Sequence, residues 1–123
     1  MKVVINQRYG GFSVSQELLL EMNSIDTAAN VSEEWLRNNR HDPLFAETVL
    51  KLGDEANGEY SNLVVVEWPS LLPYKIEEYD GWETIDLDVE GFLAQHAEEI
   101  EKAHTPLSHD LHHYRNFLNN KEG

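Results

Sequence analysis

The sequence contains no cysteine, and this absence excludes several kinds of site at once. A chain without thiols has no disulfide bonds, no cysteine nucleophile and no cysteine-ligated zinc centre. Such a composition fits a reducing compartment, where disulfides are rare. We therefore expect a cytoplasmic location.

Long apolar runs are also missing. No stretch approaches the ~18–20 consecutive apolar residues that a membrane-spanning helix needs. At the N-terminus, Lys2 is followed by three apolar residues and then by Asn6, Gln7 and Arg8, a pattern unlike that of a signal peptide. We expect no association with membranes, and 123 residues are most naturally one domain.

Basic residues are scarce. The sequence has 9 Lys and Arg against 23 Asp and Glu, which gives a formal net charge of −14 at pH 7. Between residues 77 and 101 there is no Lys or Arg, although the acids there are Glu77, Glu78, Asp80, Glu83, Asp86, Asp88, Glu90, Glu98, Glu99 and Glu101. Such a surface repels nucleic acid and attracts basic partners. We expect no direct nucleic-acid binding, and the partner would be a protein with a basic surface. Alternatively, the acids form a solvated face that keeps a small protein in solution.

Several helices and strands can be predicted in the first half. Residues 2–7 (KVVINQ) indicate a strand, and a helix follows with Ser13 and Gln16 in the positions of a capping box. A short helix around Trp35 is predicted to begin at the cap-like pair Asn30 and Glu33. The segment HDPLFAETVLKLGDEANG predicts the clearest helix, with Asp42 as N-cap, Pro43 as its first residue and Gly53 at its end.

Strands are predicted next, and helices follow them. NLVVVEWP is almost entirely apolar, as in a central strand or one covered on both faces, and YKIEEYDGWETI predicts a hairpin with a type I′ turn at Asp80-Gly81. From Val89 to His104 the apolar residues follow a helical period, and a second helix is predicted beyond Pro106. The predicted fold is α+β, with a small, mostly antiparallel sheet of about three to four strands packed with helices. Within one domain, residues 1–86 form the core and residues 87–123 a two-helix C-terminal extension.

The glycine pair in Arg8-Tyr9-Gly10-Gly11-Phe12 is a candidate ligand site. A strand, a glycine-containing loop and a helix N-terminus can together bind an anion, with the aromatic rings stacking on a base. The named nucleotide-binding motifs are absent. The alternative is a turn that needs positive φ, with the aromatic rings packed on the core.

Metal sites and catalytic residues have little support in the sequence. His109 and His113 lie one helical turn apart, but no third ligand has a telling spacing, and His96 and His104 fall on the apolar side of their predicted helix. Asp86, Asp88 and Glu90 alternate as in a Mg²⁺ cluster, but they equally suit a strand end followed by a helix N-terminus. None of the serines lies in a nucleophile motif. We predict no catalytic residue, no metal and no cofactor.

Three segments carry a resemblance to known proteins: KVVINQRYGGFSVS, DPLFAETVLKLGDEANGEYSNLVVVEWP and YKIEEYDGWETI. They resemble small phage- and prophage-encoded proteins that open with K-V-V-I-N-x-x-Y-G-G-F and later carry I-E-E-Y-D-G-x-E. The resemblance covers roughly residues 1–20 and 40–85, and it carries over no catalytic residues. It implies a bacterial host. The chain departs from the shorter members after about Ile85.

Together these observations predict a non-enzymatic acidic binding protein that inhibits a host defence protein. The predicted contact residues are Glu77, Glu78, Asp80, Glu83, Glu98, Glu99 and Glu101. A second hypothesis is a sponge for nucleotide signals that uses Arg8 to Phe12, with Arg37, Arg40 or a tryptophan nearby, and a third is a metal-dependent hydrolase. An exposed apolar patch at Trp35, Trp68 or Trp82 would favour a homo-oligomer.

Overall fold

The computed structural model describes residues 1–25 and 30–99. The chain divides into two compact units, Met1–Leu87 and Asp88–Gly123. This boundary lies one residue from the predicted division between the core and the C-terminal extension.

The first unit is an α+β fold, as predicted. Its elements are β1 (Lys2–Asn6), α1 (Gln16–Ile25), α2 (Glu33–Arg37), α3 (Pro43–Leu52), a 3₁₀ turn (Gly53–Ala56), β2 (Leu63–Glu67), β3 (Tyr74–Tyr79) and β4 (Trp82–Leu87). The four strands form two antiparallel pairs, β1 with β2 and β3 with β4. The predicted small sheet is thus two sheets of two strands each.

The most deeply buried strand is β1, not β2. Val3, Val4, Ile5 and Asn6 are at most 1% exposed, and β1 lies against α3 and β4 as well as β2. Strand β2 pairs with β1 from Lys2–Glu67 to Asn6–Leu63. Its central valines are half-buried, and among the described residues it has a strand neighbour on one side only. The apolar run in β2 therefore does not mark a central strand.

Helices α1 and α3 complete the core. Leu18 and Met22 of α1 and Phe45 and Val49 of α3 are buried in one cluster. Phe12 joins them, and its ring meets that of Phe45 edge to face with centroids 6.2 Å apart. Burying each large apolar side chain contributes about 1.5–3 kcal/mol.

The helix caps match the prediction in α3 and differ in α1 and α2. The Asp42 side chain accepts a hydrogen bond from Phe45 N, Pro43 is the first helical residue, and Gly53 ends α3 with φ of 59°. In α1 the cap is Ser15, whose Oγ accepts from Leu18 N at 3.0 Å. The predicted Ser13 cap is wrong, because the chain stays extended through a bridge between Val14 and Asn57 before α1 begins.

The N-cap of α2 is Ser32 and not the predicted Asn30. The Oγ of Ser32 accepts a hydrogen bond from Trp35 N at 3.1 Å. Glu33 therefore occupies the first turn, and its carboxylate accepts from Val14 N at 2.8 Å instead of completing a capping box. This bond ties α2 to the segment that leads into α1.

The β3–β4 hairpin has the predicted turn. Asp80 and Gly81 have φ of 52° and 92°, and a type I′ turn requires positive φ at both central residues. The register runs from Tyr74–Leu87 to Tyr79–Trp82. Consecutive side chains along each strand therefore point to opposite faces of the hairpin.

In the second unit, α4 spans Val89–Gln95 and begins where the helical period was predicted to begin. The Asp88 carboxylate caps it by accepting from Gly91 N at 3.0 Å. The later part of the predicted helix, with His104, and the second predicted helix lie outside the described residues. No helix within residues 1–25 and 30–99 is long and apolar enough to cross a membrane.

Candidate functional site

The glycine pair and the hairpin turn, 70 residues apart in sequence, lie against each other. Gly10 N donates a hydrogen bond to the Asp80 carbonyl at 3.2 Å. A Cβ atom placed on Gly81 would lie 2.6 Å from Gly10 N and closer still to Gly11 N, inside van der Waals contact. Glycine is therefore required at position 81 by this close approach of two backbones as well as by its positive φ.

Asn6 fixes this junction from inside the core. Its Nδ2 donates to the carbonyl oxygens of Gly81 at 2.8 Å and Arg8 at 2.9 Å. Its Oδ1 accepts from Asn62 N at 2.8 Å. Because a buried amide is stabilising only when its donors and acceptors are paired, Asn6 specifies where the hairpin turn sits.

A buried ion pair lies beneath the hairpin. Arg40 Nη1 and Nη2 donate to the two carboxylate oxygens of Glu83 at 2.7 and 2.8 Å, and both residues are about 5% exposed. Glu83 Oε1 also accepts from Asn6 N at 2.8 Å. The Arg40 guanidinium stands 3.8 Å from the centroid of the Phe12 ring.

This ion pair corrects one predicted contact residue. Glu83 was expected on the acidic, partner-facing surface, but it is buried and neutralised by Arg40. A buried carboxylate must be paired to be tolerated. No local pattern around Glu83 indicates that its partner lies 43 positions earlier.

The glycine loop has the positive φ of the turn alternative, but only one of its two aromatic rings, that of Phe12, packs on the core. Gly10 and Gly11 have φ of 123° and 105°. Phe12 is buried between Arg40 and Phe45, so its ring is not open to a nucleobase. Arg8 and Tyr9 are exposed.

Tyr9 belongs to a cleft on the outer face of the hairpin. Its ring lies against Trp82, with centroids 5.3 Å apart and planes tilted by 48°. The strand register pairs Tyr79 with Trp82 and Glu77 with Thr84, which places these four side chains on one face. Together with Glu78 and Tyr9 they line a cleft of about 230 Å³.

The cleft combines aromatic surface with negative charge. Tyr79 is 78% exposed, Tyr9 59% and Trp82 38%. The six lining residues include the acidic residues Glu77 and Glu78 and no basic residue. Glu78 Oε1 accepts from Gly81 N at 3.0 Å, which holds this carboxylate at the hairpin end. At the edge of the cleft, Lys75 Nζ lies 3.1 Å from Glu77 Oε1 in an exposed pair.

The remaining predicted contact residues fall in both units. Asp80 lies in the hairpin turn and is exposed, and Glu98 and Glu99 are exposed in the second unit. Glu101 lies outside the described residues. Asp80, Glu77 and Glu78 lie together at the end of the hairpin in the first unit.

The residues considered for metal binding do not converge where the structure describes them. Asp86 lies in β4, Asp88 caps α4, and Glu90 is in the first turn of α4. The His96 ring packs on Phe92 with centroids 4.5 Å apart, and its Nδ1 lies 3.2 Å from Glu99 Oε2. Over residues 1–25 and 30–99, no group of three or more His, Asp or Glu could hold a metal ion. His104, His109 and His113 are outside this range.

The three tryptophans have different surroundings. Trp35 on α2 and Trp82 on β4 are exposed, whereas Trp68 is half-buried and donates its indole N–H to Leu72 O at 3.0 Å. Of the three, Trp82 is the tryptophan that lines the cleft.

Sequence reasoning missed Tyr79 and Thr84 as site residues. The signal was present, because a type I′ turn at Asp80-Gly81 fixes Tyr79 opposite Trp82 and Glu77 opposite Thr84. The addition of Tyr9 had no such signal, since it depends on the contact between the glycine pair and the turn.

Comparisons with protein-family models, with curated proteins and with solved structures give no match. The function is therefore inferred from these residues and their geometry.

Proposed function

We propose that this protein is a non-enzymatic acidic binding protein that occupies a basic surface on a host protein and thereby inhibits it. The observation that carries the proposal is the exposure of the carboxylates that follow residue 76. Those exposed are Glu77, Glu78, Asp80, Asp86, Glu90, Glu98 and Glu99.

The net negative charge of the chain influences association before the two proteins touch. A net charge of −14 on 123 residues creates a negative potential that accelerates encounter with a basic surface and repels phosphate backbones. The proposed partner is therefore a protein. The resemblance to phage- and prophage-encoded proteins favours a bacterial host protein, such as a defence component, in the cytoplasm.

The outer face of the hairpin has the composition of a contact surface. Tyr and Trp are enriched among the residues that contribute most to binding in protein interfaces. Here the exposed rings of Tyr9, Tyr79 and Trp82 lie beside Glu77 and Glu78. The carboxylates would steer association, while the rings supply contact area.

The nucleotide-sponge alternative gains no support from the cleft. Sites for drug-sized ligands enclose about 300–1,000 Å³, and this cleft is smaller, at about 230 Å³. Glu77 and Glu78 would repel a phosphate, and Gly10 N is already bonded to Asp80 O. A thermal-shift screen with cyclic and linear nucleotides tests this alternative directly. A shift of the unfolding temperature would favour it over protein binding.

The test of the proposed function begins with capture of the partner from a bacterial host lysate. The association rate with that partner is then measured at low and high salt. We expect the rate to fall steeply as salt screens the charges. A rate independent of salt would contradict the proposal.

A charge-matched pair of variants makes this test specific. Reversal of Glu98, Glu99 and Glu101 to Lys changes the net charge by six units, and so does reversal of the exposed Glu34, Glu47 and Glu59. We expect the first variant to associate more slowly than the second. Equal rates for the two variants would overturn the assignment of binding to the acids after residue 76.

A further inference from the structure

The outer cleft of the hairpin has a specific chemical preference. Resting on the proposed function, we propose that the cleft lined by Tyr9, Tyr79, Trp82, Glu77 and Glu78 binds one arginine side chain of the partner protein. Each component of the cleft favours a planar cation.

The aromatic walls attract positive charge through their π faces. A cation is stabilised when it lies within about 6 Å of an aromatic centroid, and tryptophan is the most favourable ring. The centroids of Tyr9 and Trp82 are 5.3 Å apart, so one guanidinium at the mouth of the cleft lies within reach of both rings. Tyr79, opposite Trp82 in the hairpin register, adds a third ring beside them.

The carboxylates distinguish this cleft from a purely apolar groove. Glu77 lies on the same face of the hairpin as Tyr79 and Trp82, and Glu78 is also among the residues that line the cleft. A guanidinium forms paired hydrogen bonds with a carboxylate and stacks on an aromatic face at the same time, whereas an ammonium acts as a point charge. The combination of ring and carboxylate therefore favours arginine over lysine.

The chain already binds one of its own arginines in this way. In the interior, Arg40 donates two hydrogen bonds to Glu83 and lies 3.8 Å from the Phe12 ring centroid. The outer cleft presents the same two groups, a glutamate and an aromatic ring, without a basic residue among those that line it.

The cleft is also held in place before any ligand arrives. Asn6 and Gly10 hydrogen-bond the turn at Gly81 and Asp80, and Glu83, next to Trp82, is held by Arg40. A preformed site avoids part of the ordering cost of binding. Its volume of about 230 Å³ suits one side chain and not a larger ligand.

The test uses a short capped peptide with one central arginine, flanked by glycines, and two analogues. In one analogue lysine replaces arginine, and in the other citrulline does, which keeps the shape and removes the charge. Titration is followed through the indole N–H signals of Trp35, Trp68 and Trp82 in two-dimensional NMR. We expect the arginine peptide to shift the Trp82 signal, the lysine peptide to bind more weakly and the citrulline peptide to leave the spectrum unchanged. Equal shifts with citrulline, or no shift of Trp82, would overturn the proposal.

Two variants locate the site. Tyr79→Ala removes an exposed ring, and Glu77→Gln removes one carboxylate; each should weaken binding of the arginine peptide by about two- to fivefold. The matched controls are Trp35→Ala and Glu47→Gln, which alter exposed residues on α2 and α3 and should leave the affinity unchanged. The backbone amide spectrum verifies folding of each variant. Equal losses in variants and controls would contradict the assignment.

Failure of this inference and failure of the proposed function give different results. If the cleft variants leave peptide affinity intact while reversal of Glu98, Glu99 and Glu101 still slows association with the partner, the cleft assignment is wrong and the acidic binding function stands. If the cleft binds the arginine peptide but partner association ignores both salt and charge reversal, the cleft assignment stands and the proposed function is wrong.

Discussion

Both faces of the β3–β4 hairpin combine a glutamate with aromatic rings, but the glutamate is buried on the inner face and exposed on the outer face. On the inner face, Glu83 is buried and holds Arg40 against the Phe12 ring. On the outer face, Glu77 lies beside the exposed rings of Tyr79 and Trp82. Trp82 and Glu83 are sequence neighbours, and strand alternation alone sends one outward and the other inward. Position within the strand thus separates the buried Glu83 from the exposed Glu77.

The largest effect should come from removing the inner charge. Glu83→Gln keeps the volume of the side chain but leaves the buried Arg40 uncompensated, so the free energy of unfolding should fall by about 3–5 kcal/mol. Urea denaturation measures this loss. The double variant Arg40→Met/Glu83→Leu should recover part of it, because no unpaired charge remains. A loss for Glu83→Gln below about 1 kcal/mol would show that the two faces do not differ as described.

The junction that joins the hairpin to the glycine pair should come next. Gly81→Ala and Gly11→Ala both place a Cβ at positive φ, which costs about 1–3 kcal/mol. A Cβ at Gly81 also meets the backbone of Gly10 and Gly11, whereas nothing lies within 4 Å of one at Gly11. Thermal unfolding should therefore show a larger loss for Gly81→Ala. Equal losses would mean that the close approach adds nothing.

A smaller effect should appear on the outer face when a competing cation is removed. Lys75 Nζ lies 3.1 Å from Glu77 Oε1, and an exposed pair of this kind is worth about 0.2–1 kcal/mol. Lys75→Gln should therefore tighten binding of the arginine peptide about two- to fivefold. The control is Lys2→Gln at an exposed position of β1. If both variants bind alike, the gain comes from net charge and not from the cleft.

The smallest effect concerns Tyr74. Burial raises the pKa of Tyr74 above its usual value of 10.0, and the positive charge of Arg40 lowers it to a lesser extent. Because the folded state favours the protonated phenol, this contribution to stability is complete below pH 10 and is lost as the pH rises through the folded-state pKa. Absorbance near 295 nm should show a tyrosine ionisation above pH 10 that Tyr74→Phe removes. Its persistence in Tyr74→Phe would assign it to a different residue.

Local features of the fold could be predicted from local sequence. Asp42-Pro43 and Asp80-Gly81 fix backbone geometry within two residues, so the start of α3 and the hairpin turn were found. The N-cap of α1 could not be predicted in the same way. Ser13 and Ser15 have similar intrinsic capping ability, and the bridge between Val14 and Asn57 determines which of them caps the helix. The apolar run of β2 does not identify a central strand, because an apolar pattern does not report which strand has neighbours on both sides.

Part of the candidate site could be predicted from the sequence. Glu77, Glu78 and Trp82 share a hairpin whose register follows from the turn. Tyr9 reaches them only because Asn6 and the glycines seat that turn, and Arg40 pairs with Glu83 across 43 positions. Such contacts between distant segments depend on tertiary packing, which a single sequence does not display.

The contrast between the two faces is tested most directly by Glu77→Gln, measured for stability and for affinity in the same preparation. The expected free energy of unfolding is within about 0.5 kcal/mol of the unaltered protein, while the affinity for the arginine peptide falls several-fold. A loss of stability comparable to that of Glu83→Gln, or an unchanged affinity, would contradict the account.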